Sequence, residues 1–545
     1  MRRHGYAMLR TASAAVAAIA AVLPAPTAGA QAPTAPLPTA SDSVRIVLPE
    51  ASSALLDGGS RTGRMILFLV GASAPPARGA APMDAPFFES PQPMYSVAVE
   101  SLAPGRAVAI DAGALCFPLP LDQLDGRYRV QAVFDRDRTG RGHAAAGNLA
   151  SEVTELTLRG GEPDTAELRL SWRIDEEPLP EAPNLRWFEM KSALLSRATD
   201  REVKLRAGIA LPAGWGDPNH RRRIFPAVYV VPGFGGRRDA ASTMARLLAD
   251  PATRDLVPQA VWIVLDPECP LGHHAFVDSA ANGPWGTALV EELIPELERR
   301  FRLVRRPEGR IVTGHSSGGW SALWLQLEHP ETFGACFASS PDPVDFSRFQ
   351  LSDLYADTSV FTDPEGKERP SYRVPLMKQF DKICMTVREE VSMERVLGPA
   401  RDSGEQWDSW AATWSAVDPA TRLPRPLFDS ATGTIDRGVV RNEWSRYDIA
   451  ARVRADPARF VPLFRERVRL LCGGRDGFYL ERAVAGLQDA LAAAADALMA
   501  KGQMLSEGPG YVTVVPEETH STMAAAASVR WHREMREWLR ANGLD

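Results

Sequence analysis

The 545-residue sequence has few cysteines, no long run of basic residues and, beyond its N-terminus, no long apolar segment. Its five cysteines include no CxxC pair, and an odd number leaves at least one thiol unpaired within a monomer. A disulfide framework is therefore not predicted, and most of the cysteines are expected to be buried as small apolar side chains. A net charge of −6 without a long run of basic residues argues against nucleic acid as a partner.

Residues 1–30 predict a secretory signal peptide. Arginines precede an alanine-rich apolar stretch from Ala12 to Leu23, and small residues at 28–30 provide a cleavage site. A membrane anchor would need about 20 apolar residues, but Pro24 interrupts this stretch, and no later segment is expected to be long and apolar enough. We therefore expect a periplasmic or secreted protein without stable membrane insertion. The oligomeric state stays open.

Residues 42–175 predict an all-β sandwich domain, which follows a Pro-, Ala- and Thr-rich linker at 31–41. Seven short β-type runs are broken by Gly, Pro and Asp and show almost no helical periodicity. These runs are 44–48, 64–70, 94–99, 107–111, 128–134, 152–158 and 166–174. The loop that begins at Asp135 resembles the start of a calcium loop, but Ala146 stands where such a loop has Glu. A charged hairpin turn is the favoured interpretation.

An α/β domain is predicted over residues 185–545, after an acidic, proline-bearing linker. Strands alternate with helices, which is typical of a mostly parallel sheet covered on both faces. The predicted strands are 187–196, 203–211, 225–231, 260–265, 310–313, 467–472 and 511–515, and the predicted helices are 239–249, 287–301, 317–328, 481–499 and 524–541.

The alternation stops between residues 341 and 460, where the sequence is polar and rich in aromatic residues. An insertion of this length between sheet elements predicts a lid-like cap over a site. Trp407, Trp410 and Trp414 are spaced so that they share one helix face. Core packing of the cap is favoured over an apolar wall for a ligand.

Ser316 lies in the motif Gly314-His315-Ser316-Ser317-Gly318, between a predicted strand and a predicted helix. This is the context of a nucleophile elbow, in which small residues flank a sharp turn that exposes a serine hydroxyl. Ser316 is therefore predicted to be a nucleophile. The backbone N–H of Ser317, at the helix N-terminus, is expected to donate to an oxyanion.

A second oxyanion donor is expected from the PGFGG loop at 232–236, where glycines allow backbone N–H groups to approach a tetrahedral intermediate. Phe234 and Gly235 are the two candidates. A plain turn is the alternative.

A serine nucleophile needs a base and an acid, which follow it along the chain in the order acid, then histidine. His520 is the predicted base because a short loop separates it from a strand, whereas His532 lies within the terminal helix. Asp476 is the predicted acid, since it follows a strand in a GGRDG loop. Glu517 and Glu518 are too near the base along the chain for the usual geometry.

Trp285, with Asp278 and Asn282, belongs to the loop before the helix at 287–301. Ligands bind at such loops in parallel sheets, so Trp285 is a substrate-binding candidate, with loop-fixing hydrogen bonds as the equal alternative. The His273-His274 pair lacks the spacing and the partner residues of a metal site. No metal is predicted.

These motifs resemble the putative esterase family, which includes esterase D, enterochelin esterase-like proteins, feruloyl and acetylxylan esterases and mycobacterial mycolyltransferases. The stretch from Phe276 to Trp320, with FVDSAANGPWG and RIVTGHSSGGW at its ends, carries the resemblance together with PGFGG, GGRDG and the late ETH. The resemblance covers about residues 185–545. The insertion is longer than usual, and His520 is not followed closely by the Trp of many members, so the substrate does not transfer.

The resemblance implies an α/β-hydrolase fold without a cofactor, and the enterochelin esterase branch also has an N-terminal β-sandwich. It implies a triad of Ser316, Asp476 and His520, with Phe234 and Ser317 at the oxyanion positions. The expected activity is that of an exported serine esterase that hydrolyses a small-molecule or carbohydrate ester, such as a siderophore, carbohydrate or aryl ester. Acyl transfer to a sugar or lipid hydroxyl, or a catalytically silent binding protein, are the alternatives.

Overall fold

The computed structural model describes residues 43–72, 81–85, 88–137, 139–160, 162–163, 167–218, 222–377 and 380–544. The predicted signal peptide at 1–30 and linker at 31–41 lie outside these residues. The described residues form one compact unit, in which an N-terminal β-rich domain packs against an α/β domain.

The described residues of the N-terminal domain form ten strands in one curled sheet. They are β1 (Val44–Val47), β2 (Gly63–Gly71), β3 (Met94–Val99), β4 (Ala107–Ile110), β5 (Leu115–Phe117), β6 (Gly126–Asp135), β7 (Leu149–Ser151), β8 (Thr154–Arg159), β9 (Glu162–Pro163) and β10 (Glu167–Arg173). The order is β4-β1-β10-β7-β6-β2-β3-β5, with β8 paired to β6 and β9. All seven predicted runs correspond to strands. The other three strands have only two or three residues, too few to show an alternating pattern.

Strand β2 is apolar from Met65 to Val70, and these residues are buried on both faces of the strand. Met65 and Leu67 belong to the core of the N-terminal domain. Ile66 and Phe68 point the other way and pack with Met393 of the insertion. The N-terminal domain therefore rests on the insertion through an apolar interface.

The α/β domain has a central sheet of eight strands. They are β11 (Leu185–Lys191), β12 (Lys204–Ala210), β13 (Ala227–Val231), β14 (Val261–Leu265), β19 (Arg310–His315), β20 (Ala335–Ser339), β23 (Val468–Arg475) and β24 (Tyr511–Thr519), in the order β11-β12-β14-β13-β19-β20-β23-β24. Strand β12 is antiparallel to both of its neighbours, and the strands from β14 to β24 are parallel. Short pairs are β15 (Glu268–Cys269) with β16 (Gly272–His273), β17 (Asp278–Ser279) with β18 (Gly283–Pro284), and the hairpin β21 (Pro370–Met377) with β22 (Phe380–Thr386).

Twelve α-helices are found in the described residues. They are α1 (Ala193–Thr199), α2 (Ala241–Ala249), α3 (Trp285–Ala288), α4 (Ile294–Phe301), α5 (Ser317–Glu328), α6 (Val387–Leu397), α7 (Gln406–Trp414), α8 (Arg437–Asn442), α9 (Ile449–Ala455), α10 (Pro457–Arg467), α11 (Glu481–Ala500) and α12 (His520–Ala541). Helices α2 and α12 pack on one face of the sheet, and α4, α5, α9, α10 and α11 on the other. This is the predicted α/β-hydrolase arrangement, with helices on both faces of a mostly parallel sheet.

Three differences from the sequence prediction have a clear physical reason. The strand predicted at 187–196 ends at Lys191, because Ser192 caps a helix by accepting a hydrogen bond from Leu195 N–H at 3.0 Å. The helix predicted at 287–301 contains a π-turn at Leu289–Leu293, just before Pro295, whose ring nitrogen has no hydrogen to donate. Strand β20 was not predicted, since it is only five residues long and mostly small.

The expectation that no later segment could span a membrane needs correction. Helix α11 is long and apolar enough to cross a membrane by length and composition alone. Core helices pass the same test, and α11 buries Ala483, Val484 and Leu487 in the core of the α/β domain.

The insertion at 341–460 contributes to the same core as the central sheet. Trp407, Trp410 and Trp414 lie on α7 and are buried, with the ring of Trp414 only 5.1 Å from that of Trp320 on α5. Core packing of these tryptophans, the favoured interpretation, is therefore observed. All five cysteines are free, and three of them are buried: Cys269, Cys336 and Cys472.

Candidate active site

The turn between β19 and α5 has the geometry of a nucleophile elbow. Ser316 adopts φ 59° and ψ −129°, an uncommon backbone conformation for a residue with a side chain. A Cβ at Gly314 would lie 2.1 Å from the carbonyl oxygen of Gly318, and one at Gly318 would lie 2.0 Å from that of Val231. Only glycine fits at both flanking positions, which is the physical reason for the motif.

His520 and Asp476 are joined at the carboxyl end of the sheet, where Ser316 also lies. The Nδ1 atom of His520 is 2.7 Å from Oδ2 of Asp476. Asp476 directly follows β23 and is fully buried, whereas His520 is the first residue of α12. The predicted loop before His520 is absent because β24 continues to Thr519, whose hydroxyl caps the helix.

Asp476 and His520 each favour the charged form of the other. Burial raises the pKa of Asp476. The charge and the hydrogen bond of His520, together with the Phe478 N–H that donates to Asp476 at 2.9 Å, outweigh burial and leave this pKa below its ordinary value. Burial lowers the pKa of His520, but Asp476 and then Asp342 outweigh it and leave this pKa above its ordinary value. An ionised aspartate therefore stabilises a protonated histidine.

The ring of His520 lies between two others. One belongs to His315, the residue before Ser316, at 4.5 Å between ring centroids, and the other to Phe478, at 5.0 Å and edge-on. Burial and the nearby His520 lower the pKa of His315 to about 3, so His315 is neutral and His520 is the base available beside the elbow. In the described part of the chain no hydrogen bond joins Ser316 Oγ to His520; such bonds often tighten only with substrate.

The PGFGG segment packs directly on the elbow, and we call residues 232–236 the oxyanion loop. A Cβ at Gly233 would lie 2.9 Å from the carbonyl oxygen of His315 and 3.2 Å from Cβ of Ser316. Gly235 has φ +75°, and a turn closes from Gly236 N–H to the carbonyl of Gly233 at 2.9 Å. The elbow and the backbone of this loop are thus in contact.

The other two oxyanion candidates flank this contact. Ser317 begins α5, where the first N–H groups of a helix have no partner within the helix. Phe234 is half-buried, next to the exposed Gly235.

His273 was given no role from the sequence, yet it holds the oxyanion loop. Its Nδ1 accepts a hydrogen bond from Ala275 N–H at 3.1 Å, so the hydrogen is on Nε2, which donates to the Pro232 carbonyl at 2.9 Å. Ser409 and Thr413 of α7 hold the His273 backbone in turn. Burial lowers its pKa to about 4, so the ring stays neutral.

Asp342 is a further residue that sequence reasoning missed, because it follows the unpredicted strand β20. It is buried, its N–H lies 3.4 Å from the Ser316 carbonyl, and its Oδ2 accepts a hydrogen bond from Trp410 Nε1 at 2.8 Å. Burial raises the pKa of Asp342 to about 6, against the lowering effect of the Trp410 bond.

Trp285 packs in the core. It is buried, its ring stacks on that of His274 at 3.7 Å, and its Nε1 donates to the Asn282 carbonyl at 2.9 Å. Asp278 accepts hydrogen bonds from the backbone and hydroxyl of Thr287. These contacts fix the loop, which is one of the two roles that the sequence left open for Trp285.

The fold and the elbow define a protein of the α/β-hydrolase class. The described residues contain no group of three or more His, Cys, Asp or Glu side chains arranged to hold a metal ion. A profile of the family described as "Putative esterase" matches residues 196–481, just over half of the chain. The chain therefore belongs to the putative esterase family and is a carboxylic ester hydrolase, as the sequence motifs indicated.

Individual relatives are distant. The uncharacterized protein YbbA of Bacillus subtilis (strain 168) is 22% identical over 185 residues, which are 30% of this chain and 72% of that protein. A solved "ferulic acid esterase" is 13% identical, with 65% of this chain and 99% of the other covered and a TM-score of 0.36. An S-formylglutathione hydrolase from Agrobacterium tumefaciens is 16% identical, with 65% and 97% covered and a TM-score of 0.35.

Proposed function

We propose that this protein is an exported serine carboxylesterase in which Ser316 is the nucleophile, His520 the general base and acid, and Asp476 the orienting acid. The observation that carries this proposal is the 2.7 Å contact between Nδ1 of His520 and the buried carboxylate of Asp476, beside a strained serine turn. An unassisted serine hydroxyl is a weak nucleophile at neutral pH, and such a pair is what activates it.

The reaction proceeds in two halves. Ser316 Oγ forms a bond to the ester carbonyl carbon while Nε2 of His520 takes the hydroxyl proton. The tetrahedral intermediate collapses, the C–O bond to the alcohol breaks, and His520 returns the proton to the leaving alkoxide oxygen. Water, deprotonated by His520, then attacks the acyl carbon, the bond from that carbon to Ser316 Oγ breaks, and His520 returns the proton to Oγ as the acid leaves. Asp476 stays ionised throughout and stabilises the imidazolium.

The oxyanion of each tetrahedral intermediate accepts hydrogen bonds from backbone N–H groups. Ser317, at the start of α5, supplies one, and Phe234 or Gly235 of the oxyanion loop supplies the other. The closeness of this loop to Ser316, which only a glycine at 233 permits, supports the assignment.

The substrate class proposed is a small-molecule or carbohydrate ester, including siderophore and aryl esters, and the site of action is the periplasm or the exterior. The signal-peptide pattern at residues 1–30 supports export. Cell fractionation followed by mass spectrometry of the N-terminus tests this directly. A mature N-terminus near Gln31 in the periplasmic or extracellular fraction is expected, and a protein confined to the cytoplasm with an intact Met1 would contradict export.

The decisive experiment compares hydrolysis of p-nitrophenyl esters of increasing chain length by the wild type and by Ser316→Ala. Loss of a triad nucleophile is expected to lower kcat about 10⁶-fold. The Ser317→Ala variant is the matched control, because it removes a neighbouring hydroxyl and keeps the backbone N–H. A fluorophosphonate probe should label the wild type and not Ser316→Ala. A wild type that neither hydrolyses these esters nor takes up the probe would refute the proposal. Alcohols added as acceptors separate hydrolysis from acyl transfer.

A further inference from the structure

The loop between β6 and β7, which resembles a calcium loop in sequence, is held by its own hydrogen bonds. The buried Asn148 accepts from the N–H groups of Arg136 at 2.7 Å and Asp137 at 2.8 Å, and its amide donates to Oδ1 of Asp135 at 3.0 Å. The carboxylate of Asp137 accepts from Thr139 N–H at 3.1 Å. The acidic side chains thus serve the loop itself, which agrees with a charged turn.

This loop extends Arg141 into the α/β domain. The guanidinium donates from Nε to Glu268 at 2.9 Å and lies 3.6 Å from Glu405, the residue before α7. Its Cζ lies 4.7 Å from the centre of the Phe234 ring, in a cation–π contact. The side chain is 21% exposed. One residue of the N-terminal domain therefore contacts the oxyanion loop, β15 and the insertion together.

Arg141 packs against two glycines. A Cβ at Gly404, the residue before Glu405, would lie 3.1 Å from Cγ of Arg141, and one at Gly235 would lie 3.5 Å from Nη2. Glu268 also faces Arg237 at 3.4 Å, so two carboxylates balance two guanidinium groups. Glu268 and Glu405 thus compensate the charge of Arg141, and its cation–π contact with Phe234 links it to the oxyanion loop.

We propose that Arg141 is a positioning residue, which fixes the Phe234 end of the oxyanion loop from the N-terminal domain. This inference rests on the proposed function. An oxyanion donor must lie within about 3 Å of the developing charge to be effective. A small shift of the loop therefore reduces the stabilisation of the transition state more than the binding of the substrate. The N-terminal domain then contributes to catalysis by positioning the oxyanion loop.

The test is a comparison of kcat and KM for neutral p-nitrophenyl esters. Loss of one oxyanion donor costs about 10²–10³ in kcat, and loss of its support should cost less. Arg141→Met is expected to lower kcat about 10- to 100-fold with KM changed less than about twofold. Arg141→Lys keeps the cation but not the planar fork and should restore part of the rate. Arg127→Met, an exposed arginine of the same domain, is the control and should match the wild type.

A tetrahedral-adduct inhibitor, a trifluoromethyl ketone, supplies a second readout. Its inhibition constant should weaken in Arg141→Met by the same factor as kcat/KM, because both depend on the oxyanion donors. The Phe234→Leu variant removes the ring and keeps the N–H. In the double variant with Arg141→Met, the loss should be no greater than the larger single loss. Additive losses would overturn a role through Phe234 and indicate a general disturbance of the domain.

Other outcomes separate this inference from the proposed function. An active wild type matched in kcat by Arg141→Met would overturn the role of Arg141 alone. A raised KM with unchanged kcat, or a loss confined to anionic esters, would make Arg141 a substrate contact and would also overturn it. A wild type that is inert to esters and to the fluorophosphonate probe would refute the proposed function, and the role of Arg141 would fall with it.

Discussion

Arg373, in the hairpin β21–β22, donates a hydrogen bond of 2.9 Å from Nε to the backbone carbonyl of Asp476. Its terminal nitrogens pair with Asp381 at 3.0 Å and with Glu481 at 2.8 Å. The insertion therefore holds the backbone of the proposed triad acid, which β23 holds only on its N-terminal side.

Arg373→Met is expected to lower kcat about 10- to 100-fold, because small misplacements of catalytic groups are costly. It should also lower the melting temperature, and more at pH 8 than at pH 6. Burial raises the pKa of Glu481 to about 7, and Arg373 opposes this rise. Without the arginine the pKa of Glu481 in the folded protein rises further. Since Glu481 is ionised in the unfolded chain at both pH values, the variant loses more stability than the wild type as the pH rises from 6 to 8.

The control for that variant is Arg388→Met, which breaks an ion pair with Glu368 in the same insertion. Both partners of this pair are more than 40% exposed, so its loss should cost less than about 1 kcal/mol. Thermal unfolding at the two pH values and steady-state kinetics check both variants. An equal loss of melting temperature at pH 6 and pH 8 would contradict the assigned role of Glu481.

Asp476→Asn should lower kcat about 10⁴-fold, because the amide favours the wrong histidine tautomer. The acidic limb of the pH profile of kcat/KM should move to lower pH, since Asp476 raises the pKa of His520. Residual hydrolysis measured across the pH range tests this. Asp489→Asn, an exposed carboxylate of α11, should leave the profile unchanged. An acidic limb that moves to higher pH would refute the pairing.

Gly233→Ala should lower kcat about 100-fold with a folded protein, because the new methyl group meets the His315 carbonyl oxygen at 2.9 Å and shifts the oxyanion loop. Gly216→Ala is the matched control, since its Cβ would meet nothing within 4 Å. Kinetics with circular dichroism distinguish the two. An unchanged kcat in Gly233→Ala would contradict the role of this loop as a source of an oxyanion donor beside Ser316.

Trp414→Ala should destabilise the fold by about 3–5 kcal/mol. Trp414 is 1% exposed, and the rings of Trp320 and Trp444 lie 5.1 and 5.0 Å from its own. Val529→Ala, at a position 79% exposed, should change the stability by less than about 0.5 kcal/mol. Denaturant titration measures both changes. Similar values for the two variants would mean that the insertion does not share the core of the sheet.

Some features could be predicted because they depend on local sequence. The elbow at Ser316 needs glycines at fixed offsets, and the strand–helix alternation places Asp476 and His520 at one edge of the sheet wherever the strands pair in parallel. His273, Asp342 and Arg141 could not be found in this way. Each acts through a contact with a residue distant in the chain, and such contacts leave no periodic pattern.

The sequence by itself determined the α/β-hydrolase class, the β-rich N-terminal domain and the position of the elbow, because hydrophobic periodicity and glycine spacing act over a few residues. Tertiary structure alone decided that the insertion shares the core of the sheet and that Arg141 reaches the oxyanion loop. Burial of Trp414 and compensation of the Arg141 charge by Glu268 and Glu405 depend on segments that only the folded chain brings together.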